Sequence, residues 1–437
     1  MTDPVRQRPL GPAEGALSCS GTMSGVTSPA DTAPAPGTGV PHAGAVLTVT
    51  GVDRPGVTAR LFAALAEQPG LDVADVEQVV VHGQLVLGVV VHEHGGEDAG
   101  ALVERLTPLA AAVGREAGVA VLVEPASGAS SPVEGAGRRH HVIVLGRPVP
   151  PDAVGGAARA IAEVGGNIDA IRRLSDYPVT SFELTVSGAE AGALRAALAA
   201  VAAATGADIA VEQVGLARRS KRLIVLDVDS TLVRGEVIDE LAARAGRAAE
   251  VARITAAAMN GELDFEQSLR ARVAALAGLP VGVLDEVREH LELTPGARTL
   301  IRTLQRLGFR CGIVSGGFSQ ITDPLAASLG LDFAAANTLE VADGVLTGGL
   351  VGEIVDRPGK ARALTRFAAE HGVPLDQTVA VGDGANDLDM LTTAGLGIAF
   401  NAKPFVREQA HTALNQPYLD AVLQVLGFTR DEVLDAV

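Results

Sequence analysis

The sequence predicts a doubly wound α/β domain preceded by two α+β domains, each of βαββαβ order. Two observations carry this prediction. The βαββαβ order occurs twice in the first half of the chain, and after residue 222 short apolar strands alternate with helical patterns. Alternating strands and helices form a parallel sheet that is covered on both faces. A βαββαβ unit folds instead as a small sheet with two helices on one face.

Length and composition narrow the possible functions. The chain has 437 residues, 47% of them apolar, and its formal net charge is −17. This length suggests about three domains. The acidic balance argues against sequence-independent nucleic-acid binding, which needs a surface rich in Lys and Arg. No charge-free apolar run of ~18 residues occurs, so no membrane span is expected. Two cysteines predict no disulfide framework, and we expect a reducing, cytoplasmic environment.

Low-complexity segments set the expected domain boundaries. Residues 1–42 are rich in Pro, Gly, Ser, Thr and Ala without a period, which predicts a disordered tail. A similar composition over residues 125–137 predicts a linker. We therefore expect the first repeat at 43–125, the second at 139–216 and the α/β domain at 221–437.

The two repeats have matching patterns. In the first, strands are predicted at Ala45–Gly51, Val73–Val81, Leu85–His92 and Val119–Val123, and helices at Val57–Glu67 and Asp98–Val113. In the second, strands are predicted at His141–Gly146, Asn167–Leu174, Val179–Val186 and Ile209–Val214, and helices at Asp152–Val164 and Ala189–Ala204. The shared order indicates an internal duplication.

Polar side chains cluster where the apolar strands of the α/β domain end. These strands are predicted at Leu223–Val228, Phe309–Ser315, Thr378–Gly382 and Leu396–Phe400. Ligands of such sheets bind outside the carboxyl ends of the strands. Closely spaced carboxylates repel one another unless a cation is bound between them, and a hydroxyl followed by backbone N–H groups suits a phosphate. The residues at these positions are Asp227, Asp229, Ser315, Gly316, Asp383, Asn386 and Asp387, and Lys360 is expected to reach the same edge.

This combination resembles the haloacid dehalogenase superfamily of phosphatases. The resemblance rests on Asp-x-Asp-x-Thr at 227–231, Ser315 at a strand end, the isolated Lys360, and Gly-Asp-Gly-x-Asn-Asp at 382–387. Within that superfamily, the insert between Asp227 and Ser315 is most similar to the phosphoserine phosphatase family. The insert is too long for a simple crossover, so a small helical cap is expected at about 234–295. The two repeats resemble ACT domains, which bind amino acids and regulate enzymes of amino-acid metabolism.

The resemblance implies hydrolysis of O-phospho-L-serine to L-serine and phosphate, the last step of L-serine biosynthesis. Asp227 would attack phosphorus to form an aspartyl-phosphate. Asp229 would first protonate the leaving serine oxygen and then deprotonate the attacking water, which requires a pKa near neutrality. We expect neighbouring carboxylates to raise the pKa of Asp229 in this way.

The remaining residues of the motifs would bind the cofactor and the phosphate. Asp227, Asp383 and the backbone oxygen of Asp229 would hold one Mg²⁺, because the ligands are all oxygen atoms. Asp387 would support that site. The remaining phosphate oxygens would be bound by Ser315, the backbone of Gly316, Lys360 and Asn386.

The cap residues are expected to select the substrate. Glu236 suits the ammonium group of phosphoserine, and Arg272 suits its carboxylate as a bidentate partner. Met259 and Phe265 would form apolar walls. Without the resemblance, ordinary helix packing of Met259 and Phe265 and a surface charge at Arg272 would be the preferred interpretation.

The turn after the first strand of each ACT-like repeat is the expected effector site. The candidates are Asp53 and Gly56 in the first repeat and Gly155 and Asn167 in the second. Ordinary turn chemistry explains the same residues about equally well. By resemblance, the effector would be L-serine, and the chain would form a homodimer or a larger homo-oligomer.

Two other functions stay open from the sequence. The first is a phosphatase of different specificity, or a phosphotransferase that passes the phosphoryl group to another alcohol. The second is an amino-acid sensor whose phosphatase half is inactive. The intact Asp227, Asp229, Lys360 and Asp383 argue against the second.

Overall fold

A computed structural model describes residues 43–96, 98–126 and 139–435. The described residues before 127 form one compact unit, and those from 139 onward form a second. The predicted disordered tail at 1–42, with Cys19, and nearly all of the predicted linker lie outside the described residues.

The first unit is an antiparallel sheet with two helices on one face. Its strand order is β2-β3-β1-β4. Leu47 and Val49 of β1 face the helices and pack with Leu61 and Leu106, as the alternation of apolar residues predicts. The edge strand β2 leaves nearly all of its residues exposed. The elements are β1 (Ala43–Val52), α1 (Val57–Ala66), β2 (Leu71–Val81), β3 (Gln84–Glu93), α2 (Ala99–Ala117) and β4 (Val119–Pro125).

The second unit begins with the second βαββαβ domain. Its sheet has the equivalent order β6-β7-β5-β8. The elements are β5 (His140–Gly146), α3 (Pro151–Glu163), β6 (Asn167–Ser175), β7 (Thr180–Ser187), α4 (Ala191–Thr205) and β8 (Asp208–Gln213). The predicted repeat is therefore confirmed as two sheets of the same topology.

The α/β domain follows, with a group of helices between its first two strands. Its elements begin with α5 (Leu216–Arg219), β9 (Leu223–Leu226), α6 (Val237–Arg244), α7 (Ala248–Met259), α8 (Phe265–Ala274), α9 (Val283–His290), α10 (Ala297–Arg306), β10 (Arg310–Phe318) and α11 (Ser319–Leu329). They continue with β11 (Phe333–Ala342), β12 (Val345–Val351), α12 (Arg357–Glu370), β13 (Thr378–Gly382), α13 (Leu388–Thr393), β14 (Leu396–Phe400), α14 (Pro404–Gln409), β15 (Thr412–Leu414), α15 (Ala421–Val425) and α16 (Arg430–Asp435).

The central sheet has the order β12-β11-β10-β9-β13-β14-β15. All adjacent pairs are parallel except β11 and β12, which form an antiparallel hairpin at one edge. The predicted doubly wound parallel sheet is confirmed, and the hairpin is an addition to it. Strand β9 lies between β10 and β13, so the chain crosses from one side of the sheet to the other at this position.

The helices α6–α9 form a cap with a core of its own. Leu241 of α6, Val251 of α7 and Leu269 of α8 are buried in one cluster, which also includes Phe318 and Ile321 beside the sheet. The cap therefore packs next to the carboxyl end of β10. Among the described residues, no helix is both long and apolar enough to cross a lipid bilayer.

The second βαββαβ domain shares a core with the α/β domain. Ile143 and Leu145 of β5 belong to the same buried cluster as Val422 and Val425 of α15. The sheet face opposite α3 and α4 is therefore covered by the α/β domain. Cys311 of β10 lies in this cluster with 0% exposure, and burial raises the pKa of its thiol to about 12.

Candidate active site

The carboxyl ends of three adjacent strands bring the predicted residues together. Strand β9 leads into Asp227, β10 contains Ser315, and β13 is followed by Asp383. The backbone N–H of Asp227 donates to the carbonyl of Val381 at 2.9 Å, which extends the pairing of β9 with β13 by one residue. Asp227 is 3% exposed, so its carboxylate is almost completely shielded from water.

A tight turn after β9 directs Asp227 and Asp229 to different parts of the site. Ser230 adopts a left-handed conformation with φ of 58°. Its N–H donates to the carbonyl of Gly235 at 3.0 Å. The hydroxyl of Thr231, at the end of the turn, donates to Asp383 Oδ1 at 3.2 Å. The turn therefore connects the two strand-end carboxylates.

Lys360 is fully buried between two carboxylates. Its Nζ lies 2.6 Å from Asp227 Oδ1 and 2.7 Å from Asp387 Oδ1, and its exposure is 0%. The two carboxylates raise the pKa of this ammonium, although burial alone would lower it. Lys360 lies in the first turn of α12, where the carboxylate of Asp356 caps the helix by accepting from the Gly359 N–H.

Three carboxylates form a cluster that fits a divalent cation. Asp227, Asp383 and Asp387 each offer one oxygen, and these oxygens lie within 4.8 Å of one another. Burial is the largest cause that raises the pKa of Asp227 well above its ordinary value, and the charge of Asp387 adds to it. Burial, Asp387 and Glu236 raise the pKa of Asp383 to about 7. Hard oxygen ligands and surplus negative charge match the preferences of Mg²⁺.

Glycine is required where β13 ends. A Cβ atom on Gly382 would lie 2.5 Å from the carboxyl carbon of Asp387. The Gly384 N–H donates to Asp387 Oδ2 at 2.9 Å, so the loop wraps closely around this carboxylate. Asp387 is thus held by Lys360 on one oxygen and by backbone on the other.

Asp229 is attached to the start of the cap. Its Oδ1 accepts a hydrogen bond from the Val237 N–H at 2.8 Å, and Val237 is the first residue of α6. The pKa of Asp229 is raised to about 7. Burial is the main cause and the Glu236 charge the second, while the Val237 hydrogen bond opposes both. The expected near-neutral pKa is therefore present, but burial contributes more to it than neighbouring carboxylates do.

Ser315 lies inside β10, which continues to Phe318 instead of ending at residue 315 as predicted. Its hydroxyl accepts from the Gly317 N–H at 2.8 Å. The carbonyl of Gly316 accepts from Asn337 Nδ2 at 2.8 Å, and Asn337 Oδ1 accepts from the Val355 N–H at the same distance. The buried Asn337 thereby fixes the loop beside the carboxylates.

The strand ends and the cap enclose one cleft of about 520 Å³. The predicted residues that line it are Asp227, Asp229, Glu236, Phe265, Arg272, Gly316, Asp383 and Asn386. Glu236 Oε1 accepts from the Ser230 hydroxyl at 2.9 Å. Arg272 is half-buried, and burial lowers the pKa of its guanidinium while Glu236 raises it. The side chain of Met259, the last residue of α7, lies outside the described part of the structure.

Several residues of the cleft were not predicted from the sequence. Thr231 and Asn337 hold the strand ends in place, and Asn401, Lys403 and Phe405 line the cleft. Thr231 belongs to the Asp-x-Asp-x-Thr motif, so that motif could have identified it. The other four carry no sequence signal, because only the tertiary fold brings β11, the loop after β14 and the start of α14 to the cleft.

The expected effector residues do not all lie in turns. Asp53 and Gly56 lie between β1 and α1, as predicted, and Gly56 has φ of 96°. The other two do not lie in the turn after the first strand of their repeat: Gly155 lies inside α3 and Asn167 is the first residue of β6, as the predicted helix and strand already imply. Helix α3 begins at Pro151, and its Ala153 and Ala157 are buried with residues of the sheet.

Comparisons with known proteins agree with the fold. A family model described as haloacid dehalogenase-like hydrolase matches residues 224–392, and models described as ACT domains match residues 45–119 and 138–212. The chain is 57% identical to a phosphoserine phosphatase of Mycobacterium tuberculosis, over 89% of this chain and 94% of the relative. It is also 57% identical to a phosphoserine phosphatase of Streptomyces coelicolor, over 89% and 93%.

Two solved structures share the architecture. One is a probable phosphoserine phosphatase from Vibrio cholerae with a TM-score of 0.54 and 36% identity, which covers 68% of this chain and 88% of that one. The other is a HAD-family hydrolase from Salmonella enterica with a TM-score of 0.58 and 28% identity, which covers 66% and 99%.

The fold and the carboxylate cluster define a haloacid dehalogenase-like hydrolase with two N-terminal ACT domains. The identity to the curated relatives extends through the ACT domains as well as the catalytic domain. The chain therefore belongs to the phosphoserine phosphatase family.

Proposed function

We propose that this protein hydrolyses O-phospho-L-serine to L-serine and inorganic phosphate, as the last step of L-serine biosynthesis in the cytoplasm. One observation carries the proposal: Asp227 and Asp229 share a single cleft with Glu236 and Arg272. A phosphoserine has a phosphate, an ammonium and a carboxylate. The cleft offers Arg272 to the carboxylate and Glu236 to the ammonium, and it places both beside Asp227, the proposed nucleophile for phosphorus.

Asp227 is the proposed nucleophile. One of its oxygens contacts Lys360, which leaves the other free to attack phosphorus. The new bond forms between that oxygen and phosphorus, and the bond from phosphorus to the serine oxygen breaks. The product on the enzyme is an aspartyl-phosphate, which splits one difficult hydrolysis into two easier steps.

Asp229 is the proposed acid and base. With a pKa of about 7 it is protonated in a substantial fraction of molecules at neutral pH. It donates this proton to the departing serine oxygen. It then takes a proton from the water that attacks the aspartyl-phosphate, which regenerates Asp227 and releases phosphate.

The carboxylate cluster is the proposed Mg²⁺ site, with Asp227, Asp383 and the backbone oxygen of Asp229 as ligands and Asp387 in support. When bound, Mg²⁺ supplies positive charge that favours ionised carboxylates and offsets the charge of the phosphoryl group. Lys360, Ser315, the Gly316 N–H and Asn386 are the proposed partners of the remaining phosphate oxygens. The positive charges of Lys360 and Mg²⁺ would act against the net charge of −17, which disfavours an anionic substrate.

The cap residues are proposed to select phosphoserine. Arg272 would bind the substrate carboxylate, and Glu236 would bind its ammonium. Phe265 lies against Gly316, where a Cβ atom would be 3.2 Å from the ring, so the phenyl group narrows the cleft next to the phosphate loop. Met259 is also proposed as an apolar wall of the cleft, and this role rests only on the resemblance to the phosphoserine phosphatase family.

A phosphate-release screen across phosphorylated metabolites tests the proposed reaction. We expect phosphoserine to be the best substrate and a chelator to abolish release until Mg²⁺ is restored. The Asp227→Asn variant should lose at least ~1,000-fold in kcat, because an amide oxygen is a poor nucleophile. The variant should still be folded, as shown by a circular dichroism spectrum like that of the wild type and by a cooperative melting transition. Phosphoserine hydrolysis by this variant at the wild-type rate would reject the covalent role.

We also propose that the ACT domains span 43–125 and 139–216, that the phosphatase domain spans 221–437, and that L-serine is an effector. The unpaired edge strand β2, with exposed Val76, Val79 and Val81, supports a homodimer or larger homo-oligomer. Light scattering coupled to size-exclusion chromatography, with and without L-serine, tests the assembly. A monomer under both conditions would contradict it.

A further inference from the structure

Thr255 brings a buried hydroxyl to the catalytic cleft. The residue belongs to α7 of the cap and lines the cleft. Its Oγ1 has no hydrogen-bond partner among the described residues. A buried hydroxyl in a folded protein is nearly always hydrogen-bonded, because an unsatisfied one is unfavourable. The reaction proposed above gives Thr255 no role, so its hydroxyl is available to a group of the substrate.

The hydroxyl of Thr255 differs from those of other helical threonines in this chain. A threonine inside a helix can satisfy its hydroxyl by donating to the carbonyl four residues earlier. Four threonines make this bond, at 2.7–2.9 Å: Thr107, Thr205, Thr365 and Thr392. Thr255 does not make it to the carbonyl of Val251. Its hydroxyl is therefore not used to complete its own helix.

Thr255 and Arg272 line the cleft from two helices that pack together. Val251, one helical turn before Thr255 in α7, is buried in the core of the cap. Leu269 and Val273, on either side of Arg272 in α8, belong to the same buried cluster. Leu269 also lines the cleft. The hydroxyl and the guanidinium therefore belong to one wall of the cleft, formed by α7 and α8.

The start of α6 contributes the opposite charge. Glu236 and Asp239 both line the cleft there, three residues apart. Glu236 accepts a hydrogen bond from the Ser230 hydroxyl at 2.9 Å, which fixes one of its oxygens. The α6 side thus offers carboxylates, whereas the wall of α7 and α8 offers a cation and a hydroxyl. The amino-acid part of a substrate in the cleft would turn its ammonium toward α6 and its carboxylate toward α7 and α8.

A substrate carboxylate has more acceptor positions than Arg272 can fill. Its two oxygens offer about four lone-pair positions, and a bidentate guanidinium occupies two of them. Water fills these positions in solution, and a position left empty in the cleft would weaken binding. A hydroxyl donor on the same wall as Arg272 replaces one of the lost water contacts.

We propose that Thr255 is a further specificity-determining residue, whose hydroxyl donates a hydrogen bond to the carboxylate of bound phosphoserine beside Arg272. The contact would satisfy the buried hydroxyl and one substrate oxygen at the same time. Because Thr255 would bind the carboxylate and not the phosphoryl group, it affects substrate binding more than the chemical step. The inference rests on the proposed phosphatase function, since it concerns how the same cleft selects its substrate.

Steady-state kinetics of the full-length Thr255→Val variant test this contact, because valine keeps the shape of threonine and lacks the hydroxyl. We expect KM for phosphoserine to rise ~10-fold with kcat within ~2-fold of the wild type, since a hydrogen bond to a charged group is lost on binding. Phosphoethanolamine has the phosphate and the ammonium but no carboxylate. Its affinity, measured as substrate or as competitive inhibitor, should change by less than ~2-fold. Equal losses for both compounds, or an unchanged KM for phosphoserine, would overturn the proposal.

Two further variants separate a substrate contact from a structural role. Thr255→Ser keeps the hydroxyl, so KM for phosphoserine should stay within ~3-fold of the wild type. Thr365→Val is the matched control, because Thr365 is an exposed helical threonine of the same domain that bonds to the Ala361 carbonyl, and its kinetics should be unchanged. Thr255→Val should keep or raise the melting temperature, because it removes an unsatisfied hydroxyl. A serine variant as impaired as the valine variant, or a valine variant that is less stable, would reject the contact.

The wild-type protein in the same assay distinguishes the two possible failures. A wild type that does not hydrolyse phosphoserine would reject the proposed function, and the role of Thr255 with it. A wild type that hydrolyses phosphoserine, together with a Thr255→Val variant of the same KM, would reject the role of Thr255 alone. A selective rise in KM for phosphoserine in that variant supports both.

Discussion

Lys360 determines the charge balance of the active site. Its ammonium is fully buried and contacts two carboxylates that would otherwise repel each other. Removing one partner of a buried ion pair is far more costly than removing a surface charge, because the other partner is left uncompensated. Lys360 therefore contributes to both stability and the proposed chemistry.

The Lys360→Met variant should lose both stability and phosphatase activity. We expect its free energy of unfolding to fall by ~3 kcal/mol in urea denaturation, since two buried carboxylates lose their counterion. Phosphoserine hydrolysis should fall below detection. Lys403→Met, which removes an exposed cation from the same cleft, is the matched control and should keep its stability within ~0.5 kcal/mol. A Lys360→Met protein as stable as the wild type would contradict this account.

Arg272 should affect substrate choice more than chemistry. In Arg272→Ala, kcat/KM for phosphoserine should fall by ~10–100-fold, because a charged hydrogen-bonding partner of the substrate carboxylate is lost. Hydrolysis of an aryl phosphate, which has no such carboxylate, should change little. Arg270→Ala is the matched control on the same helix, since Arg270 is exposed and paired with Glu266. Equal losses on both substrates would remove the proposed carboxylate contact.

The sequence predicted the strand-end residues because parallel strands bring their carboxyl ends to one edge of the sheet. Asp227 and Asp229 come soon after β9 and Asp383 directly after β13, so their convergence requires only that these two parallel strands are neighbours. Asn337 could not be found in this way. It acts from the edge hairpin by bonding to the Gly316 carbonyl, and that contact depends on how β11 is placed in three dimensions.

At the scale of elements, helix α8 carries two of the cap residues that line the active site. Asp264 caps this helix by accepting from the Gln267 N–H at 2.8 Å, and the Gln267 side chain accepts in return from the Asp264 N–H. Phe265 and Arg272 lie at the two ends of the helix and both line the catalytic cleft. Whether the first turn of α8 stays helical should therefore affect the position of both side chains in the substrate site.

The Asp264→Ala variant should lower the free energy of unfolding by ~1 kcal/mol, because a reciprocal helix cap is lost. We expect KM for phosphoserine to rise several-fold with a smaller change in kcat. Asp285→Ala is the control, since Asp285 is an exposed acid of α9 that does not cap its helix. An unchanged KM in Asp264→Ala would show that the cap tolerates fraying of α8.

The sequence analysis missed the hairpin of β11 and β12, as it also missed the short edge strand β15. Asp343 and Gly344 form the turn of the hairpin, and both have positive φ. An Asp-Gly pair between apolar runs is a strong hairpin signal, so the pattern was available. It was obscured by the surrounding alternation of strands and helices, which indicated parallel strands alone.

At the scale of the whole molecule, the second ACT domain is joined to the catalytic domain by polar contacts at the edge of a shared core. Asp208 accepts three hydrogen bonds from Asn415 and Gln416 across this interface. Burial nevertheless raises the pKa of Asp208, and the hydrogen bonds only partly oppose this. The sequence predicted the domain order, but not this interface, which depends on the placement of whole domains.

The stability of this interface should depend on pH. The folded pKa of Asp208 is raised, so its contribution to stability is fully present below the unfolded pKa of about 4 and is lost as pH rises through the folded value. The wild type should therefore lose stability relative to Asp208→Asn between these two pH values. Urea denaturation of both proteins from pH 4 to 8 measures the difference, with Asp176→Asn, an exposed aspartate of the same domain, as control. If the difference in free energy of unfolding between the wild type and Asp208→Asn is the same at every pH, the pKa of Asp208 is not raised by folding.

The buried cysteine of the central sheet provides a built-in reporter of unfolding. In a Cys19→Ser variant, Cys311 is the sole thiol of the chain. Because the thiolate is the reactive form, a thiol-labelling reagent can modify Cys311 only in molecules whose catalytic domain has opened. The rate of labelling in native buffer therefore measures how often that domain opens, and adding substrate or an amino acid would show directly how much each ligand holds it closed.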